Sequence, residues 1–232
     1  MSPTYDRTAA DGYREVDRWA GGVGWFAHPG EGGRRTSHAF DTDEGVWVVD
    51  PLDAPGVDDL LAEFGDVAGV AVCSDYHARD AARVAARHDV PVTVPAWLDR
   101  VPDRLACPIE RAEGGVAGFE FVRLRPMYAW REVALYGENG TLYVPDYLSG
   151  HDAFTVGDER LGLPTLCRLV PSWGKFAGCA PERVLLGHGS GVFEDATGAL
   201  RAAFSGARRR FPRALVTNGP AEARSMLGAL VD

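Results

Sequence analysis

Apolar residues fall in short runs over the first fifty positions, at 21–26, 36–40 and 45–49. Runs of this length, bounded by Gly, Asp and Pro, predict strands. The second and third flank the acidic stretch Asp41-Thr42-Asp43-Glu44, so they predict a hairpin, which Asp50-Pro51-Leu52-Asp53 then ends. From Val57 the spacing becomes helical: Val57, Leu60, Leu61 and Phe64 share one face, Asp58 and Asp59 lie where the helix macrodipole favours acids, and Gly65 closes the segment. Residues 67–73 form a continuous apolar run of the buried-strand kind, 79–88 predict an Ala-rich helix, and 90–94 predict a further strand interrupted by Pro91. This β-α-β-α-β order implies a parallel stretch of sheet, and ligands bind at the carboxyl ends of such strands.

The second half reads differently. Strands are predicted at 116–124, 133–136 and 141–144, with Gly137-Glu138-Asn139-Gly140 as a tight turn, so this part of the sheet is expected to be antiparallel. After Pro164 a helix is predicted over 165–169 and over part of 173–179. A late apolar strand at 183–186 runs into Gly187-His188-Gly189, and the last forty residues read as helical with a break at Phe211-Pro212. With a polar lead-in at 1–20 and C-terminal helices at 194–232, the length suits a single domain spanning 1–232.

Composition narrows the partners. The 24 basic and 33 acidic residues leave a net charge of -9, which argues against a nucleic acid, since phosphate binding needs a basic stripe. The run Arg208-Arg209-Arg210 reads as a solvated helix face. No stretch reaches the apolar length of a membrane-spanning helix, and the N-terminus lacks the basic-then-apolar pattern of a secretory leader, so a cytoplasmic location with no membrane partner is expected. Cys73, Cys107, Cys167 and Cys179 show no CxxC spacing and read as reduced packing residues. Lys175 is the lone lysine among the basic residues, and Asp outnumbers Glu, a bias that fits a GC-rich, salt-adapted source.

Four places put acid, base or ligand-type side chains just past an apolar strand: Asp75/His77/Asp80, Pro126-Met127-Tyr128, Pro145-Asp146-Tyr147 and Gly187-His188-Gly189. Zinc or iron needs several N and O ligands converging from different elements, and strand ends can supply them. Each residue also has an ordinary alternative. Asp75 can cap the following helix for about 1 kcal/mol, and Asp80 can pair with Arg83 or Arg87 on the helix surface. His77 can be a satisfied core histidine, and the glycines around His188 can serve a loop. His151 is a reserve candidate, and Trp25, Arg34, Arg35 and Trp130 are candidate pocket-rim residues.

In their order and spacing these segments resemble the metallo-β-lactamase fold superfamily, over roughly residues 21–188. VAVCSDYHARDA lies where that family carries HxHxDH after a strand, LRPMYAWREVALY where it carries a histidine before a strand, TLYVPDYLSG where it carries GD, and VLLGHG matches its last strand and GHG. Laid on HxHxDH, Asp75 stands at the first histidine, His77 at the second, Arg79 at the aspartate and Asp80 at the last histidine. Tyr128 stands where a further histidine would be.

The resemblance implies a four-layer αββα sandwich, an α/β fold. It implies one divalent metal ion, zinc first and iron or manganese as alternatives, held by His77, Asp80, Asp146 and His188. Asp75 and Tyr128 would be catalytic and Arg79 substrate-binding. The implied activity is hydrolysis of a small ester, thioester, lactone or phosphoester. The alternative is a metal-free pseudoenzyme of the same fold that binds a small anionic ligand or a protein partner, with Arg79 supplying the cation's charge. A homodimer through the terminal helices is a family-type expectation.

Overall fold

The computed structural model describes residues 4–127, 130–220, 222 and 223. The chain divides into two compact units, Met1–Phe121 and Val122–Asp232, and each has its own buried apolar core.

The first unit is built on a seven-stranded sheet whose spatial order follows the chain: β1 (Arg14–Trp19), β2 (Gly22–Phe26), β3 (Ser37–Thr42), β4 (Gly45–Val49), β5 (Val67–Ala71), β6 (Val92–Pro95) and β7 (Ile109–Ala112). β1 to β4 form an antiparallel meander, as their short connections require. β4 to β7 are parallel, with α1 (Val57–Ala62) and α2 (Ala81–His88) carried in the crossovers. Val57, Leu60 and Leu61 of α1 and Ala81, Val84 and Ala85 of α2 are buried, which is the apolar spacing of the sequence turned toward the core. Trp25 is wholly buried and donates its indole N–H to the Leu52 carbonyl at 3.0 Å, so it is a core residue and not a rim residue.

Two strands escape the hydrophobic pattern, and they are the two edges of this sheet. β1 lies in the polar lead-in and buries Asp17, while β7 (IERA) exposes Glu110 and Arg111. Edge strands carry charge because an apolar edge would pair with other chains, so the apolar-run signal is weakest there.

The second sheet runs β12-β11-β10-β9-β8, and the boundary between the compact units falls inside β9. The single strand expected at 116–124 is two, β8 (Gly115–Val116) and β9 (Phe119–Met127), because Ala117 (φ 53°) and Gly118 (φ 79°) make a tight turn with both residues left-handed. β10 (Trp130–Gly137) pairs antiparallel with β11 (Thr141–Val144), as expected. β11 and β12 (Arg183–Leu186) are parallel, with Val144 opposite Leu186.

The helices expected after Pro164 are single 3-10 turns, Thr165–Arg168 and Trp173–Lys175, separated by Pro171. The break expected at Pro212 does not occur: α3 (Ala196–Thr217) passes through it. Phe204 and Ala207 before the proline and Ala214 after it are buried, so packing on both sides holds the helix while Pro212 faces solvent. Among the described residues no helix is long and apolar enough to cross a membrane.

Candidate metal centre

In the first unit the carboxyl ends of β4 and β5 build a buried polar cluster. The parallel register sets Val49 beside Ala71, so Asp50, the next residue after β4, lies against the chain leaving β5. Asp50 is fully buried with φ 48°. Its carboxylate accepts the Cys73 N–H through Oδ1 and the His77 ring through Oδ2, both at 2.8 Å. His77, itself only 4% exposed, has its other ring nitrogen 3.1 Å from Nη2 of Arg79.

The tautomer follows from donor counting. A guanidinium can only donate and an ionised carboxylate can only accept, so Nδ1 of His77 carries the proton and Nε2 offers a lone pair. That is the tautomer of a metal-ligating histidine steadied by a carboxylate behind it. Arg79 is anchored as well, donating through Nη1 to the carbonyls of Thr36 and Asp50, each at 2.8 Å. Its backbone is left-handed at φ 40°, a conformation that costs a non-glycine residue about 1–2 kcal/mol.

The two flanking acids have structural work. Asp75 is 1% exposed, and its Oδ1 accepts the N–H groups of Arg100 at 2.8 Å and Val101 at 3.3 Å. Asp80 accepts the Asp53 N–H at 2.9 Å and pairs with Arg83 at 3.1 Å. Arg35 is paired with the buried Glu31 at 2.7 Å.

In the second unit the register that sets Val144 opposite Leu186 also sets Asp146 beside His188, each two residues past its strand end. His188 Nε2 and Asp146 Oδ1 lie 3.0 Å apart. The glycine before His188 is needed for this approach, since a Cβ at Gly187 would meet the Pro145 carbonyl oxygen at 2.2 Å. Gly189, at φ 85°, turns the chain away.

Beneath this pair is Glu132 of β10, wholly buried. It accepts the Tyr147 N–H through Oε1 and the Trp130 indole N–H through Oε2, both at 3.0 Å. Burial, and then the charge of Asp146, push its carboxyl well above the usual range. Tyr128 lies outside the described residues. His151 Nδ1 accepts the Ala153 N–H at 2.8 Å, a local turn contact.

Two residues of these clusters are absent from the sequence-derived candidates. Asp50 has a signal in hindsight, being a carboxylate directly after the apolar strand GVWVV. Glu132 has one too, as an acid inside an apolar strand, where its cost demands partners.

No family model and no curated protein matches the sequence. Solved structures do match the fold. A metallo-β-lactamase from Pontibacter korlensis is 14% identical, with 84% of this chain and 99% of that one covered and a TM-score of 0.57. The DIM-1 metallo-β-lactamase exposed to ceftazidime is 8% identical, with 86% and 100% covered and a TM-score of 0.57. A protein solved in a di-iron-bound form is 22% identical, with 73% and 93% covered and a TM-score of 0.53. Likeness at these identities speaks to architecture, and it agrees with the two sheets and few helices found here: the chain has the metallo-β-lactamase fold.

Proposed function

We propose that the protein is a metal-dependent hydrolase of a small ester, thioester, lactone or phosphoester. The observation that carries this reading is the hydrogen bond from His77 Nδ1–H to Asp50, which orients the ring and fixes the tautomer a ligand needs. His77, Asp146 and His188 are the ligands of this proposal. Two imidazoles with a carboxylate and no thiolate suit zinc, and also iron or manganese. Asp75 and Asp80 are left out of this ligand set: Asp75 Oδ1 accepts the Arg100 N–H, and Asp80 accepts the Asp53 N–H and pairs with Arg83.

A bound ion of this kind acidifies a water and polarises the scissile bond. The chain's own contribution is to hold the site: Asp50 orients the His77 ring and sets its tautomer, Gly187 lets His188 reach Asp146, and Glu132 ties down the Tyr147 N–H next to Asp146.

The test is metal content by mass spectrometry on tag-free protein, with melting temperature measured with and without chelator. Stoichiometric metal and a chelator-dependent fall in melting temperature are expected. Less than about a tenth of an equivalent with unchanged melting would end the proposal, because a ligand bound to the folded state must shift stability.

One observation favours a second reading. The Arg79 guanidinium already occupies the His77 lone pair, as it would in a metal-free protein of this fold that binds a small anion. If the metal test fails while a small carboxylate or phosphate raises the melting temperature, this second reading stands.

A further inference from the structure

Arg79 is seated as a cation in its own right. Its Nη2 donates to His77 Nε2 at 3.1 Å, and its Nη1 is fixed by the Thr36 and Asp50 carbonyls. Unlike lysine or histidine, arginine cannot lose its proton to make room for a second cation.

We propose that Arg79 is an internal competitor for metal: its guanidinium fills the one lone pair of His77 that an ion would use, and an ion gains His77 only by displacing it. This rests on the metal-dependent reading and adds to it a residue that sets the affinity. Loading requires the guanidinium to give up its contact with the His77 ring while still charged. The ion is therefore held more weakly than the same ligands would hold it without Arg79. The left-handed backbone at Arg79 fits this role, since a strained position persists only where the surroundings hold it.

The test uses the full chain and zinc alone. Zinc affinity is measured by calorimetry against a competing chelator for the wild type, Arg79→Ala, Arg79→Gln and the double variant His77→Ala/Arg79→Ala, with melting curves to show that each is folded. Both single variants at Arg79 should bind zinc about ten- to a hundredfold more tightly than the wild type, a change as large as the loss that follows removal of a supporting partner of a ligating histidine, with the opposite sign. The double variant should lose that gain.

Unchanged affinity in both Arg79 variants overturns the competition while leaving a metal-binding protein. A gain that survives loss of His77 also overturns it, because the ion would then bind elsewhere. No zinc binding by any variant overturns the competition and the metal-dependent reading together.

Discussion

Asp50 gathers more contacts than its place in an Asp-Pro turn implies. Its carboxylate accepts from Cys73 and His77, and its carbonyl accepts from Arg79 and from the Ser37 hydroxyl. In Asp50→Asn one carboxylate oxygen becomes an NH2 that faces a buried donor. The variant should therefore lose about 2–3 kcal/mol of stability, measured by urea denaturation. Nitrogen NMR should show the His77 proton no longer confined to Nδ1.

Glu31 gives a pH-dependent counterpart. Burial opposes its ionisation, but the Arg35 guanidinium and the N–H groups of Asp6 and Arg35 outweigh burial and hold its carboxyl below the usual range. Its contribution is thus present above the unfolded value near 4.5 and lost as pH falls through the lower folded value. Glu31→Gln should cost about 1–3 kcal/mol at neutral pH, and the difference from wild type should shrink below about pH 4. A gap that stays constant on acidification would mean that the ionised carboxylate is not what stabilises this loop. At this scale the sequence singles out His77, Asp146 and His188 as candidates, because each follows an apolar strand. It hides Asp50 and Glu132, whose partners Cys73 and Tyr147 lie 23 and 15 residues away and are backbone N–H groups of no particular residue type.

Among the elements, α3 carries the clearest local conflict. Pro212 removes one helical hydrogen bond and crowds the preceding turn, yet the helix continues to Thr217. A proline inside a helix is about 3 kcal/mol less favourable than alanine, and it returns part of this by stiffening the unfolded chain. Pro212→Ala should then stabilise the protein by about 1–2 kcal/mol, seen as a higher melting temperature. No gain would mean that the helix already yields at this point in solution. Local propensity predicts a break here because it cannot register that Phe204, Ala207 and Ala214 are buried on both sides. The central strands and both helices of the first unit are legible because their apolar period coincides with burial. β1 and β7 are not, because an edge has reason to be polar.

Over the whole molecule, charge is the property that composition alone sets, and two effects of opposite sign follow from it. The net charge of -9 is repulsive and acts over long range. Contact pairs such as Arg18–Glu15 at 2.7 Å, Arg87–Asp53 at 2.8 Å and Arg210–Asp158 at 3.2 Å are attractive and short. Salt removes them in sequence, because the screening length is about 30 Å at 0.01 M, about 8 Å at 0.15 M and about 3 Å at 1 M. Long-range repulsion is therefore lost first, while pairs in contact persist until molar salt. Each exposed pair is worth only about 0–1 kcal/mol in any case. Stability should rise between about 0.01 and 0.15 M potassium chloride and then level off, and thermal melts across that series with the buffer held constant will show it. A steady fall over the same range would mean that the contact pairs outweigh the repulsion of the excess acids. A rise that continues linearly into molar salt would instead reflect exclusion of the salt from the protein surface, which owes nothing to the charge of the chain.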